Sequence, residues 1–202
     1  QVVVATTKQA NDQMLVVEAL DLGVEVFCGN ENDVLDRYYR AAKKHDASLV
    51  VRVTADCPLF DPEVLSQMFC DLDRIPLTKF SKIYFSNTRT RTYPRGLDAE
   101  IFNFSALDFA NQEATQAFER EHVTPFMYQH PKDFLIYDFR NDEDNSAYRW
   151  TLDTPEDYEF FKAVYSELHK EKGFISTEDV FSLLKTRPEL CELNAHVEQK
   201  KY

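Results

Sequence analysis

Positive charge is scarce in this chain relative to negative charge. Among 202 residues, 23 Lys and Arg stand against 35 Asp and Glu, a formal net charge of −12. A protein that grips nucleic-acid phosphates needs a basic face, so a nucleic-acid partner is not expected. A nucleotide ligand stays open, because a bound cation and a few local arginines can supply the positive field. No apolar run reaches the ~20 residues that a spanning helix needs, so no membrane partner and no signal peptide are expected. The four cysteines, Cys28, Cys57, Cys70 and Cys191, are scattered and lack zinc-ligand spacing. A chain of this size does not need a disulfide framework, which makes a reduced, cytoplasmic protein the expectation. With only four glycines, there is no Gly-rich segment. Neither a linker nor an internal repeat interrupts the chain, so one domain over 1–202 is expected, with 188–202 a weakly patterned tail.

What is present is a strand–helix rhythm up to about residue 72. The run 2–6 reads as a buried strand, and a chain opening directly inside such a strand predicts that an N-terminal segment is missing. A helix follows over 11–22, with Met14, Val17 and Leu20–Leu22 at helical spacing and Gly23 as its C-cap. Residues 24–27 form the next strand. Asn32 or Asp33 caps a helix to about Lys44, with Leu35, Tyr38, Tyr39 and Ala42 on one face. A third strand covers 49–53, and Asp61-Pro62 opens a helix. This alternation predicts an α/β fold whose central sheet holds 2–6, 24–27 and 49–53 in parallel. Further strands are expected at 82–86, 99–103 and 134–138. Helices are expected at 105–112, 119–129, 155–170 and 176–185.

The third strand delivers Asp56 to the carboxyl edge of the sheet, where open α/β folds bind ligands. A carboxylate there can hold a hard cation, although an Asp in Asp-Cys-Pro also fits a turn. A second strand-like run, Tyr148–Leu152, ends in Asp153 before Thr154-Pro155-Glu156-Asp157 opens a helix. Asp153 or Thr154 serves as N-cap, and Asp153 can also face Asp56 across a magnesium ion. Arg89, Arg91 and Arg95 make a local cationic patch suited to bidentate anion binding, or else a solvated loop. On the helix from 32 to 44, Asp33–Arg37 and Asp36–Arg40 have ion-pair spacing, which reads as a surface ladder. Arg120-Glu121-His122 alone is compatible with an ordinary helix face.

Taken in order, VVVATT (2–7), GVEVFCGNENDVLDRYYRAA (23–42), VVRVTADCPLFDPEV (50–64), YPRGLDAEIF (93–102), REHVTPFMYQHP (120–131) and YRWTLDTPED (148–157) resemble the spore-coat polysaccharide type of cytidylyltransferase. That type is related to the CMP-KDO and CMP-acylneuraminate synthetases. The resemblance implies a Rossmann-like, glycosyltransferase-A-like nucleotidyltransferase fold, a three-layer α/β sandwich with a mixed, mainly parallel sheet. It implies activation of a sugar or sugar acid with CTP and release of pyrophosphate, with Mg2+ as cofactor and a homodimer as a further expectation. By the same resemblance, Asp56 and Asp153 are the catalytic, magnesium-holding pair. Thr6 and Thr7 line the base pocket, and Asp36 and Arg37 belong to the nucleotide side. Arg95, Gly96, Asp98, Glu100, Arg120, Glu121 and His122 fall on the acceptor-sugar side. Two departures stand out. The family's opening Arg-x-x-Ser-x-Arg-Leu-Pro-Gly-Lys loop, which cradles the triphosphate, has no counterpart, and Ala55 precedes Asp56 where relatives carry Gly. Weak CTP binding by residues 1–202 alone is therefore expected. A catalytically inactive binding or scaffold subunit is the alternative reading. A glycosyltransferase is disfavoured, since Asp71-Leu72-Asp73 falls at a helix end.

Overall fold

The computed structural model describes residues 1–76, 81–169 and 173–199. They fall into two compact units, one of Gln1–Val51, Leu77–Phe85 and Ile101–Tyr137, the other of Arg52–Pro76, Ser86–Glu100 and Asp138–Tyr202. No helix among the described residues is long and apolar enough to cross a membrane.

In the first unit, β1 (Val3–Thr7) and β2 (Glu25–Gly29) pair in parallel, with Ala5 opposite Phe27. A 3₁₀ turn (Ala10–Asp12) and α1 (Gln13–Asp21) connect them. Gly23 ends the crossover at φ +71°, a conformation that disfavours any residue with a Cβ. The apolar positions of α1 do not make a core face: Met14 is 84 % exposed, Leu22 is 75 % exposed, and Ala19 is the helix's buried residue. By contrast, α2 (Val34–Lys44) behaves as its pattern predicts. Asp33 caps it by accepting the Asp36 N–H at 3.0 Å, and Leu35, Ala41 and Ala42 are buried. Leu35 joins a core with Tyr84, Phe102, Leu107, Val123 and Met127.

Strand β3 (Leu49–Arg52) does not pair with β1. It belongs to a four-stranded sheet ordered β3, β5 (Glu100–Asn103), β4 (Ile83–Ser86), β6 (Leu135–Asp138). The expectation of one sheet holding all three early strands is corrected accordingly. Periodicity marks a strand as buried but does not encode its hydrogen-bonding neighbour. Among the described residues, no strand occupies the edge of β1 away from β2 or the edge of β3 away from β5. A groove of ≈ 380 Å3 is lined by Val3, Ala5, Tyr38, Leu49, Val50 and Val51.

The helix expected over 119–129 is two helices, α5 (Ala117–His122) and α6 (Pro125–Gln129), after α4 (Phe104–Glu113). Val123 breaks the run with φ +73°, an unusual conformation for a β-branched residue, and is fully buried. Pro125 explains the break. It has no N–H to give to a carbonyl one turn back, so α5 cannot run on through it, and it opens α6 in the first turn, where that N–H is not needed.

In the second unit, α3 (Pro62–Leu72) starts at Asp61, whose buried carboxylate accepts the N–H groups of Glu63 and Thr177 at 2.9 and 2.8 Å. Helix α7 (Pro155–Leu168) starts at Thr154, with Asp157 closing a capping box, and α8 (Thr177–Thr186) starts at Ser176 with Asp179 in the same role. The forecast end of α7, Lys170, lies outside the described residues. A 3₁₀ segment, Pro188–Leu193, buries Leu190. Tyr148–Asp153 is no strand. It makes one isolated parallel bridge, Arg95 to Arg149, with the Arg95 N–H donating to Tyr148 O at 3.0 Å and the Trp150 N–H donating to Arg95 O at 2.6 Å.

Gly96 makes that bridge possible. Its φ is +105°, and a Cβ there would lie 1.9 Å from the carbonyl oxygen of Trp150. Gly96→Ala therefore combines backbone strain with a backbone clash, and we expect a loss of about 3 kcal/mol or more in urea unfolding. A loss below about 1 kcal/mol would show that the bridge yields easily.

Candidate functional site

The second unit gathers the acidic pair. Beyond β3 the chain runs to a turn in which the Cys57 N–H donates to Thr54 O at 3.2 Å, so Asp56 sits in that turn rather than on the strand. The carbonyl of Asp56 accepts the Leu152 N–H at 2.8 Å and the Thr151 hydroxyl at 3.2 Å. The same hydroxyl lies 3.2 Å from Oδ2 of the Asp56 carboxylate. Asp153 follows Leu152 directly, so these bonds join the Asp56 turn to the segment that carries Asp153. Cys57 Sγ lies 3.5 Å from Oδ1 of Asp56. Burial, with the Asp56 charge adding to it, pushes the Cys57 thiol up to about 12 despite the Thr54 hydroxyl. That thiol stays protonated and is no nucleophile.

Thr154 takes the N-cap of α7, which leaves the Asp153 carboxylate free of capping. Arg149 Nη2 donates to Asp153 Oδ2 at 3.0 Å, and the Asp153 side chain remains 42 % exposed. The main partner of Arg149 is Asp157, reached from Nε and Nη2 at 2.8 Å each. Asp157 is fully buried and also accepts the N–H groups of Asp153 and Thr154 at 3.0 Å and the Asn194 amide at 2.9 Å. Burial pushes the Asp157 carboxyl up, but the Arg149 guanidinium and the other donors outweigh it and hold it at about 2.

Of the acids that the resemblance puts on the acceptor side, Glu100 and Asp98 are each matched by a cation. Glu100 is buried and ion-paired with Arg52. Asp98 takes both Nη atoms of Arg91, Nη2 at 2.8 Å, and accepts the Gly96 N–H at 3.3 Å. Arg89 is held by Asp138 at 2.8 Å. In the 89–95 loop, Arg89 and Arg91 are thus each paired with a carboxylate.

The remaining expected residues lie in the first unit. Thr6 and Thr7 end β1 with their hydroxyls turned to Asp12, whose Oδ2 also accepts the Thr7 N–H at 3.2 Å. The Thr7 hydroxyl, then that of Thr6, holds the Asp12 carboxyl below its ordinary range. The Asp36–Arg40 pair forms at 2.6 Å, whereas the expected Asp33–Arg37 pair does not. Arg37 lays its stem against Gly29, where a Cβ would lie 2.7 Å from Arg37 Cγ, and Nη1 donates to Asn30 O at 3.0 Å. Asp33 turns instead to Arg120, accepting Nε and Nη2 at 3.0 and 2.8 Å. Arg120 also donates to Asn111 O and Oδ1 at 2.7 and 2.9 Å, so its guanidinium braces α2 against α4. The His122 ring lies 4.8 Å from that of Phe118, and Glu121 is exposed.

Sequence reasoning missed Asp12, Arg52, Thr151, and the Arg149–Asp157–Asn194 set. The four-residue steps from Arg149 to Asp153 to Asp157 were a usable signal. Asn194 offered none, being 37 residues from Asp157.

A cytidylyltransferase family model matches residues 1–201. An uncharacterised protein of Methanocaldococcus jannaschii is 33 % identical over all of this chain and 79 % of its own length. The spore coat polysaccharide biosynthesis protein SpsF of Bacillus subtilis is 30 % identical over 93 % of this chain and 75 % of its own. The structure of a cytidylyltransferase from Leptospira borgpetersenii superposes with a TM-score of 0.87 at 32 % identity, covering 99 % of this chain and 80 % of that one. CMP:2-keto-3-deoxy-manno-octonic acid synthetase, solved with CTP, shares the fold at a TM-score of 0.55 and 15 % identity, over 83 % of this chain and 81 % of that one. The fold is that of the nucleotidyltransferases.

The depressed Asp157 makes stability pH-dependent. Its contribution is complete above the unfolded carboxyl value near 4 and is lost as pH falls through about 2. Urea unfolding should show a loss of about 2 to 3 kcal/mol across that window that Asp157→Asn does not show. An identical acid profile in the variant would remove Asp157 from the account.

Proposed function

This chain belongs to the cytidylyltransferase family, and from that premise we propose that it is a sugar nucleotidyltransferase. In this reading it moves the cytidylyl group of CTP onto a sugar or sugar acid and releases pyrophosphate, in the service of surface polysaccharide synthesis. The observation that carries the reading is the junction of Asp56 with Thr151-Leu152-Asp153, made by hydrogen bonds of 2.8 and 3.2 Å.

The residues present fit a magnesium ion. Among the described residues, no group of three or more His, Cys, Asp or Glu forms a cage. Two neighbouring carboxylates are what magnesium takes when waters and substrate phosphates complete its shell. Asp56 and Asp153 would hold it. Bound there, it would supply positive charge to the phosphate oxygens. The acceptor hydroxyl attacks the α-phosphorus in line. A new oxygen–phosphorus bond forms, the α–β bridge breaks, the hydroxyl proton goes to solvent, and pyrophosphate leaves. The chain's part is positioning. Thr151 orients the Asp56 carboxylate and Arg149 that of Asp153. We assign Thr6, Thr7, Asp36 and Arg37 to the nucleotide.

The second reading is an inactive binding or scaffold subunit. The test is pyrophosphate release by the full-length protein with CTP, magnesium and a panel of sugars and sugar acids. We expect release with at least one acceptor, lowered about a hundredfold or more by Asp56→Asn. Full turnover in that variant removes Asp56 from catalysis, and no release with any acceptor favours the scaffold reading.

A further inference from the structure

A groove of ≈ 360 Å3 in the second unit includes none of the residues assigned above to nucleotide, metal or acceptor. One wall is a face of α3, on which Glu63, Gln67, Cys70 and Asp71 recur at steps of three and four residues. The other is Arg140-Asn141-Asp142. Tyr93 and Phe139 complete the lining, their rings stacked with centroids 5.5 Å apart and planes at 14°.

Tyr93 is only 6 % exposed, yet its hydroxyl makes no hydrogen bond among the described residues. A hydroxyl drawn out of water without a partner is unfavourable, and a buried Tyr ordinarily finds one. This hydroxyl is not sealed among packed side chains, so it opens to the groove. Burial first, then the charges of Asp142 and Asp71, push the phenol up to about 12, so it stays protonated. Those two carboxylates thus face it from opposite walls.

The charges in the lining are unevenly matched. Asp71 is paired with Arg74 at 3.0 Å, through a guanidinium that is largely exposed. Glu63 accepts only the Gln67 amide, at 3.3 Å. Arg140 is tied to Thr90 and Asp138, at 3.3 and 3.5 Å. The Asp142 carboxylate has no partner among the described residues. Carboxylates beside the orphan hydroxyl disfavour an anion. A bare metal ion fits no better, since no three acids among the described residues gather into a cage. The volume suits a small molecule.

We propose that this groove is a second ligand site, for a small organic cation whose ammonium lies between Asp142 and Asp71 against the Tyr93 hydroxyl. The ammonium has donors for both carboxylates and for the phenol oxygen. An acceptor oxygen elsewhere on the ligand would take the hydroxyl proton. The site stands apart from the proposed function and does not depend on it.

The probes are D-glucosamine, spermidine and the uncharged N-acetyl-D-glucosamine. Each is titrated into the full chain at low salt while the Tyr93 ring resonances are followed by NMR. We expect D-glucosamine or spermidine to shift Tyr93 and N-acetyl-D-glucosamine to leave it unmoved. A response to D-glucosamine alone assigns an amine with acceptor oxygens, and a response to spermidine assigns a polyamine. The dissociation constant of the active cation should rise about tenfold in Asp142→Asn and about three- to tenfold in Tyr93→Phe. Neither the Tyr93 hydroxyl nor the Asp142 carboxylate bonds within the protein, so both variants should melt with the wild type. That separates lost binding from lost folding. The proposal is overturned if neither cation shifts Tyr93, or if N-acetyl-D-glucosamine binds as tightly as the active cation. It is equally overturned if Asp142→Asn or Tyr93→Phe binds that cation as tightly as the wild type does.

Discussion

The buried pair of Arg149 and Asp157 is the interaction around which the candidate site is organised. Asp157 has no exposed surface, and Arg149 shows only 9 % of its side chain. Ions taken this far out of water are tolerated only when their remaining hydrogen-bonding positions are filled. Here they are filled by groups that define the site: the N–H of Asp153, the N–H of the α7 cap residue Thr154, and the amide of Asn194 beyond the Pro188–Leu193 turn. Arg149 Nη2 is shared between Asp157 and Asp153, and Nη1 donates to the Gln199 side chain at 2.6 Å. One pair thus sets the start of a helix, anchors a late segment, and points a carboxylate. Such a pair is weak evidence for net stability. Its value lies in geometry, since it ties the start of α7, Asn194 and Asp153 to one point.

The same economy of charge runs through the rest of the second unit. Glu100 and Asp98 lie where the resemblance puts the acceptor sugar, yet each is matched by an arginine. Matched acids shape a surface and hold a loop in place. They are poor direct ligands, because a ligand would have to displace a charge-assisted bond. Within this pattern Asp153, with a half-exposed carboxylate, and Asp56, at a turn, are the exceptions, and they are the acids to which we assign the chemistry.

Much of the fold was legible. Asp33, Asp61, Thr154 and Ser176 were all readable as helix starts because capping is a contact between residues two or three apart. Pro125 is the local signal for the split at Val123, which a single helix over 119–129 does not take into account. Less could be read from apolar spacing in α1, whose Met14 and Val17 are exposed. Periodicity shows that a helix has an apolar face, not what covers it.

By itself the sequence determined the order of strands and helices, the caps, the acidic balance, and the residues Asp56 and Asp153 as the acids to watch. All of these depend on neighbours a few positions away or on composition. Tertiary structure decided which charges meet. Asp33 had an arginine four residues on and took Arg120, 87 residues away. Thr151 reached Asp56 across 95 positions. With many arginines and more acids, local spacing offers several equivalent pairings, each worth little on an exposed helix. Burial breaks the tie, because a desolvated charge must find a partner of fitting geometry, and only the folded chain shows which partner is within reach.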